Sequence, residues 1–493
     1  MLRTVNPQQS LWDSILPACC LGLPPGLAEM DRLLDDERFF EPFVPFFSPR
    51  VGRPSIPMES YLRMMFLKYR YRLGFETLCA EVADSISWRR FCRIPLGDAV
   101  PHPSTLEKIT SRCGEAAVAA LNEALLAKAA ENKVVRLDRV RADTTVVEAD
   151  VAYPTDSGLL AKGVAKLARL TAKIKQAGLA ARTKTRDRTR SVRRRAHGIG
   201  AWLRRRSDDA KDEVRAITAE MAGIAEHAVA DARAVVRNAR RGLRRAAGQG
   251  TAKTAALLAE LDRSAGLVEQ IAAQTRTRLA GGTPDGATRV VSLHDTDARP
   301  IAKGRLGKPV EFGFKAQVVD NADGIVVDHS VVIGNPPDAP MLMPAIARIK
   351  ARFGKAPRAL TADRGYGEAA VEAELKTAGV KEVAIPRKGK PGAARQAVER
   401  ARGFRTLIKW RTGSEGRISN LKHRWGWDRT LMDGIDGAQT WCGWGVLANN
   451  SLKIANLIEA NDGRGAVIPT DRSRPAADAH LPPSPPPTSR AAA

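Results

Sequence analysis

The strongest constraint on the fold is a change of residue pattern that occurs twice. Residues 134–152 (VVRLDRVRADTTVVEADVA) are rich in β-branched side chains with charges interleaved, the pattern of a strand. Residues 158–280 are dominated by Ala, Arg, Leu and Thr and read as helix. Strand patterning returns at about residue 289 in RVVSLHD, EFGFKAQVVD and GIVVDHSVVIG, the last two joined by Asn321-Ala322-Asp323-Gly324, a hairpin turn. A helix (PPDAPMLMPAIARIKARFG), a strand (RALTAD), a helix (GEAAVEAELKTAG), a strand (KEVAIP) and a helical region over 393–459 follow. A chain that makes one strand, leaves for a long helical excursion and returns to finish the sheet reads as an α/β domain interrupted after its first strand, with helices packed on a mixed sheet.

The first 134 residues read as all-helical. Residues 60–73 carry apolar side chains at helical spacing and stop at Gly74, residues 75–94 form a second run, and a third opens at PHPSTLEK, where Ser104 and Glu107 have capping-box spacing. Helix, break, helix with interspersed Arg and Lys suits either a helix-turn-helix-like DNA-binding unit or a plain helical bundle. Residues 464–493, rich in Pro, Ala and Ser, read as a disordered tail.

Charge narrows the class of partner. Lys and Arg number 79 against 54 Asp and Glu, a formal charge of +25 with a pI near 10.2. Such a surplus points to a polyanion, nucleic acid first. Residues 158–280 hold 28 Lys and Arg but only 11 Asp and Glu, so 17 of the 25 surplus charges lie in this block. Its Arg runs either track a phosphate backbone or solvate the outside of a helical hairpin. The six cysteines form no CxxC and no zinc-like spacing with His, which suits reduced thiols in a cytoplasmic protein. The N-terminus lacks the form of a signal peptide, and the most apolar stretch, 437–452, is too short and too polar to span a bilayer.

Against this basic background three acids stand out. Asp143 lies in the first strand, Asp363 ends RALTAD just before Arg364-Gly365-Tyr366-Gly367, and Glu415 lies in WRTGSEGRISNLKHRWG. Taken alone, Asp363 reads equally as a helix cap. Acids at strand ends of a mixed sheet can converge, and three suffice to share two Mg2+ ions for an in-line phosphoryl displacement. Arg411, Glu415, Ser419 and Lys422 have the spacing of one helix face. Asp138 falls on the opposite strand face from Asp143, Asp150 lies beyond the strand, Glu368 reads as a first-turn helix acid, and Asp295 and Asp297 read as turn residues. His294 is a secondary candidate for a DNA or water contact. Trp425 and Trp427 read as core residues, with base stacking the alternative.

The blocks RADTTVVEADVAYPTDSGLL, FGFKAQVVD, TADRGYG and WRTGSEGRISNLKHRWG, in this order, together with GRPSIPMESYLRMMFLKYRYRLGFETLCAEV, resemble those of bacterial insertion-sequence DDE transposases. The resemblance covers roughly 40–155 and 285–460. It implies an RNase H-like catalytic fold with Asp143, Asp363 and Glu415 as metal-binding acids for Mg2+ or Mn2+, two ions in all. The family signature Tyr, Arg, Glu, Lys maps onto Arg411, Glu415 and Lys422, with Ile408 in the Tyr position. It further implies cleavage at terminal inverted repeats, strand transfer into target DNA, and a homodimer or larger synaptic complex. Arg364, Arg411, Arg417, Lys422 and Arg424 are then the expected DNA contacts. The expected domains are a helical N-terminal DNA-binding domain (1–134), a catalytic domain (135–157 and 285–460), a basic helical insertion (158–284) and the tail (461–493). A structure-specific nuclease without strand transfer and an inactive DNA-binding relic are the alternatives.

Overall fold

The computed structural model describes residues 1–5, 15–17, 20, 22–205, 208–243, 251–303 and 307–461. The expected tail beyond Asn461, together with Cys19, Arg206, Arg244 and Arg245, lies outside the described residues.

The sheet is built around β1 (Arg139–Ala149). β3 (Val310–Asn321) runs antiparallel to it, with Arg141 opposite Asp320 and Asp143 opposite Val318. β2 (Arg299–Ala302) and β4 (Val326–Ile333) both pair antiparallel with β3, along residues 310–313 and 314–320 respectively. The turn between β3 and β4 is made at Gly324, whose φ of 78° suits glycine. On the other side of β1, β5 (Ala359–Ala362) runs parallel to it and β6 (Glu382–Ala384) parallel to β5, while β7 (Arg429–Thr430) pairs with the far end of β1. The result is α/β, with a mixed sheet and packed helices.

The expected strand RVVSLHD does not form. The Val290 amide donates to Oε1 of Gln274, and the Gln274 amide donates back to the Val290 carbonyl, so a side chain takes the place of a neighbouring strand. Val290 and Val291 are both buried but belong to different cores, as alternate side chains of an extended segment point opposite ways.

Before the sheet come α1 (Pro25–Leu34), α2 (Met58–Tyr71), α3 (Phe75–Asp84), α4 (Ile86–Phe91) and α5 (Pro103–Glu131). The expected 75–94 run is thus two helices. Ser85, extended and capping the Trp88 amide, separates them. The expected capping box at Ser104 and Glu107 is absent because the helix starts two residues earlier, with His102 as its N-cap, and the His102 ring Nδ1 accepts the Ser104 amide instead. These helices have no core of their own. Met30, Met64 and Leu121 belong to the same hydrophobic cluster as Phe314, Leu360 and Trp444, so the expected boundary at residue 134 is not a boundary of packing.

After β4 come α10 (Ala339–Phe353), α11 (Ala369–Thr377), α12 (Ala393–Arg400), α13 (Arg402–Arg411), α14 (Ser414–Trp425) and α15 (Gly434–Asn461). α15 packs on α1, α2, α5 and β4, which explains the apolar stretch 437–452: a helix enclosed on all sides is apolar on all sides. A Cβ at Gly445 would stand 2.5 Å from the Trp425 carbonyl oxygen, so glycine permits the close approach. No helix among the described residues is long and apolar enough to cross a membrane.

Between β1 and β2 the chain forms α6 (Asp156–Gln176), α7 (Thr189–Trp202), α8 (Asp208–Leu243) and α9 (Thr251–Leu279). Leu167, Val192, Val235 and Val268 are among the residues of a second hydrophobic cluster, separate from that of the sheet.

Candidate active site

Strand register brings two of the three expected acids together. Ala142 of β1 pairs with Ala362 of β5 in parallel, so the next residue on each strand, Asp143 and Asp363, stand side by side on neighbouring strands, which lie about 4.8 Å apart. Asp363 turns out of β5 into a single 3-10 turn, Arg364–Tyr366, and its Oδ1 accepts the Gly365 amide at 2.8 Å. The capping role expected of a turn residue is therefore present as well. Asp143 uses Oδ1 to accept the Thr144 amide and Oδ2 to accept the Ser414 hydroxyl at 2.7 Å.

A third acid completes the cleft, and it is Asp338, which the residue pattern did not single out. It precedes α10, makes no side-chain cap, and its Oδ1 accepts the Thr144 hydroxyl at 3.0 Å and faces the Lys315 ammonium at 2.6 Å. Lys315 also donates to the Pro336 carbonyl. The one legible signal for Lys315 was its charge within the otherwise uncharged stretch FGFKAQVV. A Cβ at Gly365 would lie 2.6 Å from Asp338 Oδ2, so the turn and Asp338 are in close contact. These groups line an open cleft of about 540 Å3 with Lys388 at its rim. Burial raises the Asp363 pKa, and the negative charges of Asp143 and Asp338 raise it further against the pull of the Gly365 amide and Arg411.

Glu415 lies beside this cluster. It follows Ser414 at the start of α14 and is exposed. The expected stripe from Arg411 to Glu415 is broken: Arg411 ends α13, and Thr412 and Gly413 turn the chain before α14 begins. Arg411 points its guanidinium instead toward Asp143 Oδ2 at 3.9 Å. The end of α13, just before the turn into α14, is held by Arg141, which pairs through two hydrogen bonds of 2.9 Å with the buried Asp320 and donates to the Trp410 carbonyl.

The remaining expected contacts fall outside the cleft. Arg364 donates to the carbonyls of Arg387 and Gly389, fastening the loop after β6. Arg417 leans on Asp320 at 3.6 Å and covers Gly324. Lys422 and Arg424 lie in the last turn of α14. Trp425 and Trp427 are buried and donate to Asn420 and to the Cys442 carbonyl, so they are core residues. The His294 ring is hydrogen-bonded to Ser292 and to the Asp150 carbonyl. Among the competing acids, Asp138 and Asp150 are exposed, Glu148 pairs with Lys308 and Arg429, Glu368 precedes α11, and Asp295 and Asp297 accept backbone amides.

Among the described residues no three acidic, His or Cys side chains stand close enough to hold a metal ion in their present positions. The donor set nevertheless fits a hard divalent cation. It consists of carboxylate oxygens in an open cleft, and Asp363 carries a repulsion that a cation would relieve.

The family described as "Transposase DDE domain" matches residues 285–450, and the family described as "Transposase domain" matches residues 25–112. A Rhizobium meliloti protein described as "Uncharacterized protein ORF8 in nfe locus" is 30% identical over 149 residues, 29% of this chain and 72% of that protein. No solved structure matches the chain. Neither family match favours the nuclease or the relic. The two matched regions place the chain in the insertion-sequence DDE transposase family, whose members bind transposon ends, transfer polynucleotide strands with divalent metal ions and carry out DNA transposition.

Proposed function

We propose that Asp143, Asp363 and Glu415 are the acids with which this chain cleaves DNA at the terminal inverted repeats of its element and joins the freed ends to target DNA, on an RNase H-like sheet, with Mg2+ or Mn2+ in two sites. The pairing of Ala142 with Ala362 carries the reading, because it sets two carboxylates side by side at neighbouring strand positions in a strongly basic chain. β3 as the single reversed strand of the sheet, with one acid on its neighbour β1 and another at the end of β5 beyond, supports the fold assignment.

A carboxylate has about four acceptor sites. Asp143 spends two of them on the Thr144 amide and the Ser414 hydroxyl, which fix its orientation and leave the others for a cation. Asp363 is fixed in the same way by Gly365. Glu415 would join them from the first turn of α14, next to Ser414, whose hydroxyl donates to Asp143. Bound divalent ions supply Lewis-acid stabilisation of the charge on the attacking and leaving oxygens. Arg411, near Asp143, offers a guanidinium to the phosphate. No protein nucleophile is needed, since water and then the freed 3′-hydroxyl attack. Tyr366 is unsuited to that role: it is buried, hydrogen-bonded to Gln317, and its phenol pKa is raised by burial. Two ends must be joined, so the working form is a homodimer or larger assembly in the cytoplasm.

The test supplies end-bearing duplex, target plasmid and Mg2+. Joined products that disappear on chelation agree with the proposal. Cleavage without joining, or no processing with either Mg2+ or Mn2+, overturns it.

A further inference from the structure

The insertion carries a face that the chemistry above does not use. From residue 182 to 206 the chain has eleven Lys and Arg and one acid, Asp187. That acid caps the Thr189 amide at the start of α7, and α7 itself contains no acid. Elsewhere in the insertion several exposed cations stand against an acid on a neighbouring helix, such as Arg276 with Glu226, Arg240 with Asp262, and Arg233 with Glu269. Around α7 the nearest acids are also taken, Asp231 by Arg188 and Glu220 by Arg195. Arg190 and Arg194, four residues apart and so on one helix face, are exposed and make no ion pair among the described residues. With Arg186 and His227 they border an open cleft of about 650 Å3 between α7 and α8. The apolar side of α7, Val192 and Ile199, is buried in the insertion's own core, so the arginine face is held outward on a packed scaffold.

The geometry points to a second DNA-binding surface on α7, where Arg190, Arg193 and Arg194 take successive phosphates of duplex DNA. A one-signed face with its local acids already neutralised attracts a phosphate backbone, whereas a solvated helical hairpin would mix signs along the face. The inference rests on the reading of duplex DNA as the substrate.

The experiment uses the full chain and measures affinity for an end-bearing duplex against salt. Arg190→Gln, Arg193→Gln and Arg194→Gln are combined in one variant. The comparison variant, Arg233→Gln, Arg240→Gln and Arg276→Gln, removes the same net charge from paired positions. Each phosphate that the protein no longer neutralises lowers the slope of log affinity against log salt by about 0.9, so three lower it by about 2.7. The α7 variant is expected to show this fall, while the comparison variant and the thermal unfolding of both stay near wild type. Equal slopes and affinities for the two variants overturn the inference, as does an α7 variant that binds DNA normally but loses self-association, which would make the face an interface between copies. A wild type that binds no DNA would instead sink the reading of the substrate itself.

Discussion

Arg141→Ala tests how the active site is held. Arg141 and Asp320 face each other across β1 and β3, are 4% and 3% exposed, and share two hydrogen bonds of 2.9 Å. Removing the guanidinium leaves a buried carboxylate facing alanine, which typically costs about 3–5 kcal/mol. Arg417, 3.6 Å from Asp320, gives partial cover, so the expected loss is near the lower end, about 3 kcal/mol. Urea unfolding followed by tryptophan fluorescence reads the right core, because Trp202 alone among the described tryptophans lies in the insertion. The pair Arg141→Met with Asp320→Leu should return to within about 1 kcal/mol of wild type, since a buried ion pair is replaceable by apolar groups of similar size. That stable double variant should still join DNA about 10–100-fold more slowly. It lacks the bond from Arg141 to the Trp410 carbonyl that holds the end of α13 and the turn into α14, and removing the outer supports of a metal site costs about that much. A destabilisation under about 1 kcal/mol in Arg141→Ala, or a double variant no more stable than the single, refutes the reasoning.

Two further outcomes follow from local chemistry. His329 is driven down to about 4 by burial and by Arg352 and Arg348. A base with a depressed folded pKa contributes stability above its unfolded pKa of about 6.5 and loses it as pH falls toward 4. The ring keeps some solvent access, so the loss across that window should be about 1–2 kcal/mol, and His329→Gln should flatten the pH dependence of unfolding; an unchanged profile contradicts it. At α5, His102→Ala should cost about 1 kcal/mol through removal of the cap, whereas Glu107→Gln should be neutral because no capping box forms; thermal unfolding that ranks the two the other way would be the contrary result.

The order of elements was legible in the residues, because patterning switches cleanly between residues 149 and 156 and the β3–β4 turn carries its own glycine signal. Asp143 within the first strand and Asp363 at a strand end were legible as acids in basic surroundings, but their adjacency depends on a parallel register that no local pattern encodes. Four things were hidden for physical reasons. Gln274 replaced a strand partner for Val290 from 16 residues away. Asp338 looks like an ordinary helix-start residue until Lys315 and Thr144 are brought to it by the sheet. The break at Thr412 and Gly413 splits a stripe whose spacing fits one continuous helix. The common core of α1–α5 with the sheet was hidden for a similar cause: amphipathic helices show that a face is buried but not against what.

The most direct test of the central claim is Asp363→Asn in the joining reaction, with binding to the same end DNA measured in parallel. Removing an outer support of a metal site costs about 10–100-fold, so removing a ligand should cost at least about 100-fold in both cleavage and joining while end binding stays near wild type. An Asp363→Asn protein that cleaves and joins DNA at the wild-type rate would contradict the account.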